Sequence, residues 1–406
     1  MHRHSFSGRL KEPGDHIIDH QVQPYMSMLK TQTYSVIAGS GSYLPTRVIS
    51  NTDFLNNTFY DEAGNQLGRP TEEIVRKFSD ITGIYERRYV TDDLVASDIG
   101  FFAAEDAIRD SGTDPEQLDY IIFAHNFGDI REDNARSEFV PTLASRVKYR
   151  LGLKNPATVC YDLPFGCAGW LQGVIQADLY IRSGQAKKVL IVGGETLSRI
   201  CDPHDRDSML YADGAGAIVL EARESDPPVG ILSTNCHTYT AEQAYVLRMG
   251  QSNHPDHPQP DRLFLKMQGR VLYEHALKVV PLVTKESMDK ACLDIKDMDM
   301  LLIHQANKKM DEAMMRRLYE AFGAPQPTEN VMPLTVSWLG NSSVATLPTL
   351  YNLVEKGQMP GYSFKPGDNL VFASVGAGVN VNALVYRVTN KIIRPNLNKG
   401  HNIDEQ

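Results

Sequence analysis

Short apolar runs rich in Val, Ile and Leu recur along the chain, each followed by a longer stretch of helical periodicity. This alternation restricts the fold more than any other feature of the sequence. The runs are YSVIAGSGSY (34–43), LDYIIFAHN (118–126), KVLIVGGE (188–195), AGAIVLEA (215–222), DMLLIHQAN (299–307), NLVFASVG (369–376) and ALVYRV (383–388). Strands that are apolar nearly throughout are strands covered on both faces, so the pattern predicts a layered α/β protein with buried sheets.

The pattern also repeats. Asp119 opens an apolar strand ending in His125-Asn126; a helix follows, Gly166-Cys167 opens another helix, and KVLIVGG returns as a strand. Asp299 opens a second such strand ending in His304-Gln305; a helix follows, Gly340-Asn341-Ser342 opens the next, and NLVFASVG returns. Two copies packed with pseudo-twofold symmetry would place Cys167 and Asn341 at helix N-termini near the join, beside a strand end carrying a histidine. The helix beginning near Cys167 is expected to stop at Ser183-Gly184. The chain therefore reads as a half at 34–226 bearing Cys167 and a half at 227–390 bearing His304 and Asn341. Residues 1–33, polar and His-rich, read as a mobile tail with Met26 and Met28 as alternative starts, and 391–406 read as a C-terminal tail.

Composition removes several classes of function. A formal charge of −9 argues against nucleic acid as the main partner, which would require a concentrated basic surface. Five cysteines without CxxC spacing, diluted through 406 residues, support neither a disulfide framework nor a zinc site, so no metal is expected and a reducing cytoplasm is the expected location. No apolar run approaches the roughly 20 residues that span a bilayer, and the N-terminal stretch has no apolar segment of the secretory kind.

Cys167 sits in DLPFGCAGW (162–170), where a strand gives way to a helix between two glycines. A thiolate is the reactive form of cysteine, and the positive end of a helix dipole is expected to bring its pKa down. His304 closes a strand at the end where α/β proteins collect polar groups, and a neutral imidazole there can move a proton or donate to a developing oxyanion. Asn341, in WLGNSSVATLP, offers an amide donor that does not titrate. Taken singly, these are equally a structural cysteine, a satisfied histidine and a helix cap. The order Cys, His, Asn also occurs in papain-like proteases, but their cysteine lies near the mature N-terminus in a CGSCW-like context that FGCAGW does not match.

Over about residues 34–389 the chain resembles the thiolase-fold ketoacyl synthases, specifically the ketoacyl-acyl carrier protein synthase III family. GSYLP (41–45), TGIYERR (82–88), FGCAGW (165–170), SGQAKKVLIVGGETLSR (183–199), CDPHDRDSMLYADGAGA (201–217), HQAN (304–307), GNSS (340–343) and SVGAG (374–378) occur in the family's order. The resemblance implies a duplicated five-layered α/β/α/β/α fold, usually a homodimer, acting without a cofactor on thioesters of acyl carrier protein or coenzyme A. It implies Cys167 as nucleophile, His304 and Asn341 as the pair that stabilises the extender enolate, and the backbone N–H groups of Cys167 and Ala377 as the oxyanion hole. Ser374 stands where degradative thiolases carry a second cysteine.

Departures from the family pattern carry their own expectations. Lys77 and Ile81 replace a tryptophan and an arginine that hold the coenzyme A adenine, which puts a coenzyme A primer in doubt. Arg206 matches a phosphate-contacting arginine and Lys309 replaces a basic carrier-docking residue, although both could be plain surface cations. The long segments 125–148 and 237–262 read as a reshaped acyl tunnel, and with 61–84 they are similar to the branch that condenses two acyl chains into dialkylresorcinol-type products. The function implied is carbon–carbon bond formation between an acyl group on Cys167 and a malonyl or β-ketoacyl thioester. The rivals are a thioester hydrolase or simple acyl-transfer enzyme on the same fold, and an inactive partner subunit.

Overall fold

The computed structural model describes residues 31–327 and 330–390. The MHRH histidines, the alternative starts and the C-terminal tail lie outside the described residues. The expected N-terminal tail is cut short by two residues, because Gln32 and Thr33 already pair with the neighbouring strand.

The first half runs β1 (Gln32–Tyr43), β2 (Arg47–Ser50), α1 (Thr71–Thr82), β3 (Glu86–Tyr89), α2 (Ala96–Ser111), β4 (Tyr120–His125), α3 (Leu143–Arg150), β5 (Val159–Pro164), α4 (Gly169–Arg182), β6 (Lys188–Thr196) and β7 (Asp213–Ser225). The second runs β8 (Gly230–Thr238), β9 (Leu247–Gly250), β10 (Phe264–Met267), α5 (Gly269–Lys290), β11 (Met300–Ile303), α6 (Lys308–Ala321), α7 (Val336–Leu339), α8 (Thr346–Glu355), β12 (Asn369–Gly376) and β13 (Asn380–Arg387). α4 ends where its sequence says it should, with Ser183 as its last cap and Gly184 at φ 78°.

The repeat is visible in strand order and polarity. One sheet is ordered β1-β7-β6-β4-β5, with the first two junctions antiparallel and the last two parallel. The other is ordered β8-β13-β12-β11, with junctions antiparallel, antiparallel and parallel. It reproduces the first four positions of the larger sheet. At the fifth, a single bond stands among the described residues, from the Leu301 N–H to the Val331 carbonyl at 2.8 Å.

Three cores separate five layers. α2 and α3 cover the outer face of the larger sheet through Ile99, Ala103, Ala107, Leu143 and Val147. α5 and α6 cover the outer face of the smaller one through Val280, Val283, Met314 and Leu318. Between the sheets lie α4 and α8, whose Trp170, Val174, Leu347 and Leu350 meet Ile122, Ile191, Leu302 and Phe372 from both sides. Burying a side chain of this size contributes about 1.5–3 kcal/mol, so the central layer also fixes the two copies against each other. Two antiparallel strand pairs, β2–β3 and β9–β10, stand apart from these two sheets. Among the described residues no helix is long and apolar enough to cross a membrane.

Candidate active site

β5 ends at Pro164, and the chain then reverses through Gly166 (φ 69°) and a short 3-10 turn, Gly166–Ala168, into α4. The turn after β12 presses against this elbow. A Cβ on Gly166 would lie 2.7 Å from the Ala377 nitrogen, and one on Gly376 would lie 2.5 Å from the Cys167 nitrogen. Both positions therefore need glycine, and the amides of Cys167 and Ala377 become neighbours. Ser374, fully buried on β12, donates its hydroxyl to the Cys167 carbonyl at 3.2 Å and so braces the elbow from behind.

The second half supplies the other two groups. His304 prolongs the β11–β12 pairing, its N–H donating to the Ala373 carbonyl at 2.8 Å. Asn341 is held by its own backbone, which donates to Leu210 at 2.9 Å and accepts from Ala212 at 2.8 Å. Its Oδ1 accepts the Ser343 N–H at 2.9 Å, which leaves the amide nitrogen, a donor only, for the cavity. Gln305 and Asn307 of HQAN are structural: Gln305 fastens Pro333, Thr335 and Val336, and Asn307 caps α6 through the Met310 N–H, while Ala306 lines the cavity.

Cys167, His304, Asn341 and Ala377 all line one cavity of about 290 Å³, near the lower limit for small-molecule sites. Its walls are mostly apolar. A larger space of about 1000 Å³ opens between the start of α2 and α3, lined by Asp92, Asp129, Arg131 and Arg146 among others, with no cysteine or histidine in its lining.

The protonation states run against the expectation from helix position. Cys167 is half-buried and lines the cavity, and burial pushes its thiol up to about 11. The hydrogen bond from the Ser343 hydroxyl, at 3.3 Å, acts downward and the charge of Glu195 acts upward. Desolvation outweighs whatever the helix end supplies. Burial likewise lowers His304 to about 4, so the pair rests as neutral thiol and neutral imidazole.

The long segments contribute less than expected. Of 125–148 only Asn126 and Phe127 reach the cavity. The remainder is drawn away because Asp129, buried, accepts the Ser97 N–H and hydroxyl at 2.7 and 2.6 Å and pairs with Arg146 at 2.7 Å. Of 237–262 the cavity takes Leu247, Arg248 and Met249 of β9. With Leu265 and Met267 of β10 they form a roof, anchored by Lys266, which is buried against Asp202 (2.6 Å), Asp205 (3.1 Å) and Asn253 (2.7 Å). The His254 end packs away from the cavity, 4.8 Å from Tyr60 and 4.7 Å from His204.

Arg206 and Lys309 are not at the cavity. Arg206 is exposed on a 3-10 turn, with Asp207 as a distant partner at 4.0 Å, and Lys309 is exposed in the first turn of α6. Both elements border α1. On α1, Lys77 pairs with Glu73 at 2.9 Å and Ile81 is 56% exposed.

Five layers built from two repeats make this a thiolase-fold protein. Residues 161–240 match the family of 3-oxoacyl-[acyl-carrier-protein] synthase III, and residues 288–388 match its C-terminal part. The β-ketoacyl-[acyl-carrier-protein] synthase III of Paracoccus denitrificans is 33% identical over 364 residues, covering 87% of this chain and 99% of that protein. That of Xanthomonas campestris is 33% identical over 353 residues, covering 86% and 97%. The structure of the Thermus thermophilus synthase III superposes with TM-score 0.69 at 30% identity, covering 87% and 99%. The priming β-ketosynthase of the R1128 polyketide pathway superposes with TM-score 0.71 at 25% identity, covering 91% and 100%. The chain belongs to the β-ketoacyl-[acyl-carrier-protein] synthase III family, and it is a condensing acyltransferase.

Proposed function

We propose that Cys167 accepts an acyl group from a thioester and that the same cavity then joins it to a second thioester by Claisen condensation. The observation that carries this reading is the convergence of Cys167, His304, Asn341 and Ala377 on one cavity. Sγ attacks the thioester carbonyl while its proton passes to the neutral His304. The N–H groups of Cys167 and Ala377 receive the oxyanion, and collapse expels the donor thiol with that proton. The second thioester loses carbon dioxide or a proton to give an enolate, whose oxygen takes hydrogen bonds from His304 and the Asn341 amide. Its carbon attacks the acyl carbonyl, the C–C bond forms, and Cys167 leaves as a thiolate that takes up a proton from solvent, or the one the extender released where a proton rather than carbon dioxide was lost.

The donor is an apolar acyl chain carried on acyl carrier protein. Arg76, Lys77, Arg206, Lys308 and Lys309 are exposed on α1 and the two elements that border it, a rim suited to an acidic carrier, and Lys77 and Ile81 offer no aromatic surface to an adenine. β5 is an edge strand, half-exposed at Val159, and a second copy seated there would make the homodimer.

The test is intact-protein mass spectrometry after incubation with acyl, malonyl and β-ketoacyl groups, each on carrier protein and on coenzyme A, with Cys167→Ala alongside. A chain-specific mass gain on the wild type alone, strongest from carrier protein, is expected. A β-ketoacyl extender consumed with the loaded chain would place the enzyme in the branch that condenses two acyl chains. No adduct from any donor would remove the covalent mechanism.

A further inference from the structure

Glu195, at the end of β6, is 1% exposed and belongs to no part of the mechanism above. Its Oε2 accepts both the backbone N–H of Asn126, at 2.8 Å, and the Asn126 side-chain amide; its Oε1 has no partner among the described residues. The Asn126 amide also donates to the Ser343 hydroxyl at 2.9 Å. That hydroxyl donates in turn to the Cys167 sulfur. A continuous chain of donors therefore joins a buried carboxyl to the nucleophile.

Its direction is set at the far end. A carboxylate can only accept, so it holds the NH₂ side of Asn126 toward itself and toward Ser343. With its oxygen already receiving that N–H, Ser343 has one hydrogen to give, and it goes to the sulfur. A protonated Glu195 could instead donate to Asn126 Oδ1 with the amide turned over. Ser343 would then donate to the same Oδ1 and leave the sulfur.

We propose that Glu195 is a positioning residue whose charge state orients Asn126 and Ser343, and thereby decides whether the Cys167 sulfur holds a hydrogen-bond donor. Burial lifts Glu195 to about 7, so both arrangements are populated near neutrality. The groups facing it are His125, which favours the anion, and Asp213, which opposes it, while Cys167, a neutral thiol near pH 7, adds no charge. His125 is itself set by a hydrogen bond from the Gly128 N–H and by Asp162 at 3.2 Å. The Ser343 hydrogen bond acts on the sulfur more strongly than the repulsion from Glu195. The ionised carboxyl should therefore activate the thiol on balance.

The role of Glu195 in catalysis rests on Cys167 being the nucleophile, but the reactivity of the sulfur can be read without any acyl donor. The experiment measures the rate of Cys167 alkylation by iodoacetamide from pH 6 to 9, by peptide mass spectrometry, in wild type, Glu195→Gln, Ser343→Ala and the double variant, with thermal melts as a folding check. Glu195→Gln should lower the rate at pH 8 by about threefold to tenfold, the range of one hydrogen bond, and remove a step near pH 7. Ser343→Ala should cost a similar factor, and the double variant no more than either. Asn126→Ala cuts the chain at its middle and should give the same loss, which covers the case of a Glu195 variant that does not fold. A rate raised by Glu195→Gln in both backgrounds would mean through-space repulsion alone and would overturn the proposal, as would additive losses. Failure of acylation with this pattern intact would count against Cys167 as nucleophile instead.

Discussion

The backbones of Gly166 and Ala377 meet with no room for a side chain: a methyl on Gly166 would lie 2.7 Å from the Ala377 nitrogen. The two residues are 211 positions apart in sequence (377 minus 166), so this contact joins the elbow of one repeat to the glycine-rich turn of the other.

Gly166→Ala should accordingly displace the Ala377 amide and strain a backbone held at φ 69°. Loss of one oxyanion donor costs about 10²–10³ in kcat. The expected result is a fall of that order in acylation of Cys167 with a smaller change in KM, measured by quenched-flow mass spectrometry. Wild-type acylation by a folded variant would show that this contact does not position the amide.

Cys167, lifted to about 11, should be almost wholly thiol in the free protein. At pH 7.5 roughly one molecule in a few thousand carries the thiolate. Exposed Cys292 is the internal comparison. Iodoacetamide should modify Cys292 before Cys167 at that pH, and the Cys167 rate should still be rising at pH 9. Peptide mapping that found Cys167 modified first, with a plateau below pH 8, would indicate a thiolate at rest.

Asp311, on the buried face of α6, is fully buried and its carboxyl is pushed well above the usual range by desolvation, offset only in part by the Ala306 N–H. An acid whose folded pKa exceeds its unfolded value of about 3.9 costs stability as pH rises from that value toward the folded pKa, because the unfolded chain releases the proton more readily. Asp311→Asn removes this cost. Its melting temperature should exceed that of the wild type at pH 8 by about 1 °C for each kcal/mol recovered, the scale for a chain of this size. The two curves should converge near pH 4, and a constant offset across the pH range would assign the effect to packing.

Cys167, His304 and Asn341 stood out as candidates because the junctions that carry them recur in two copies, although each residue type taken singly is ordinary there. The layers were legible for the same reason, since the apolar runs mark strands covered on both faces. Ser343, Asn126 and Glu195 left no comparable trace: they are common residue types, and the bond from Asn126 to Ser343 spans 217 positions. Nor could the depth of Cys167 be read from its neighbours, and depth is what reverses the expected shift of its thiol. Arg87, in TGIYERR, shows the same limit. Its guanidinium is fully buried, donating to Met209, Ile49 and Asn51 between Phe54 and Phe78, and its Cβ lies where a Cβ on Gly340, next to Asn341, would collide at 2.7 Å. In sequence it is one of two adjacent arginines.

Ser343, at φ 54°, opens the turn before α8 as Gly166, at φ 69°, opens the turn before α4, so it is the counterpart of Gly166, and Val344 is that of Cys167. The hydroxyl that reaches the Cys167 sulfur is thus brought by the other copy's turn, from the position one before the sulfur's own counterpart. The fit between copies is close: a Cβ on Gly193 of β6 would lie 2.5 Å from the Val344 carbonyl, one residue past that hydroxyl. A substitution at this seam would change the distance from sulfur to hydroxyl without altering either group.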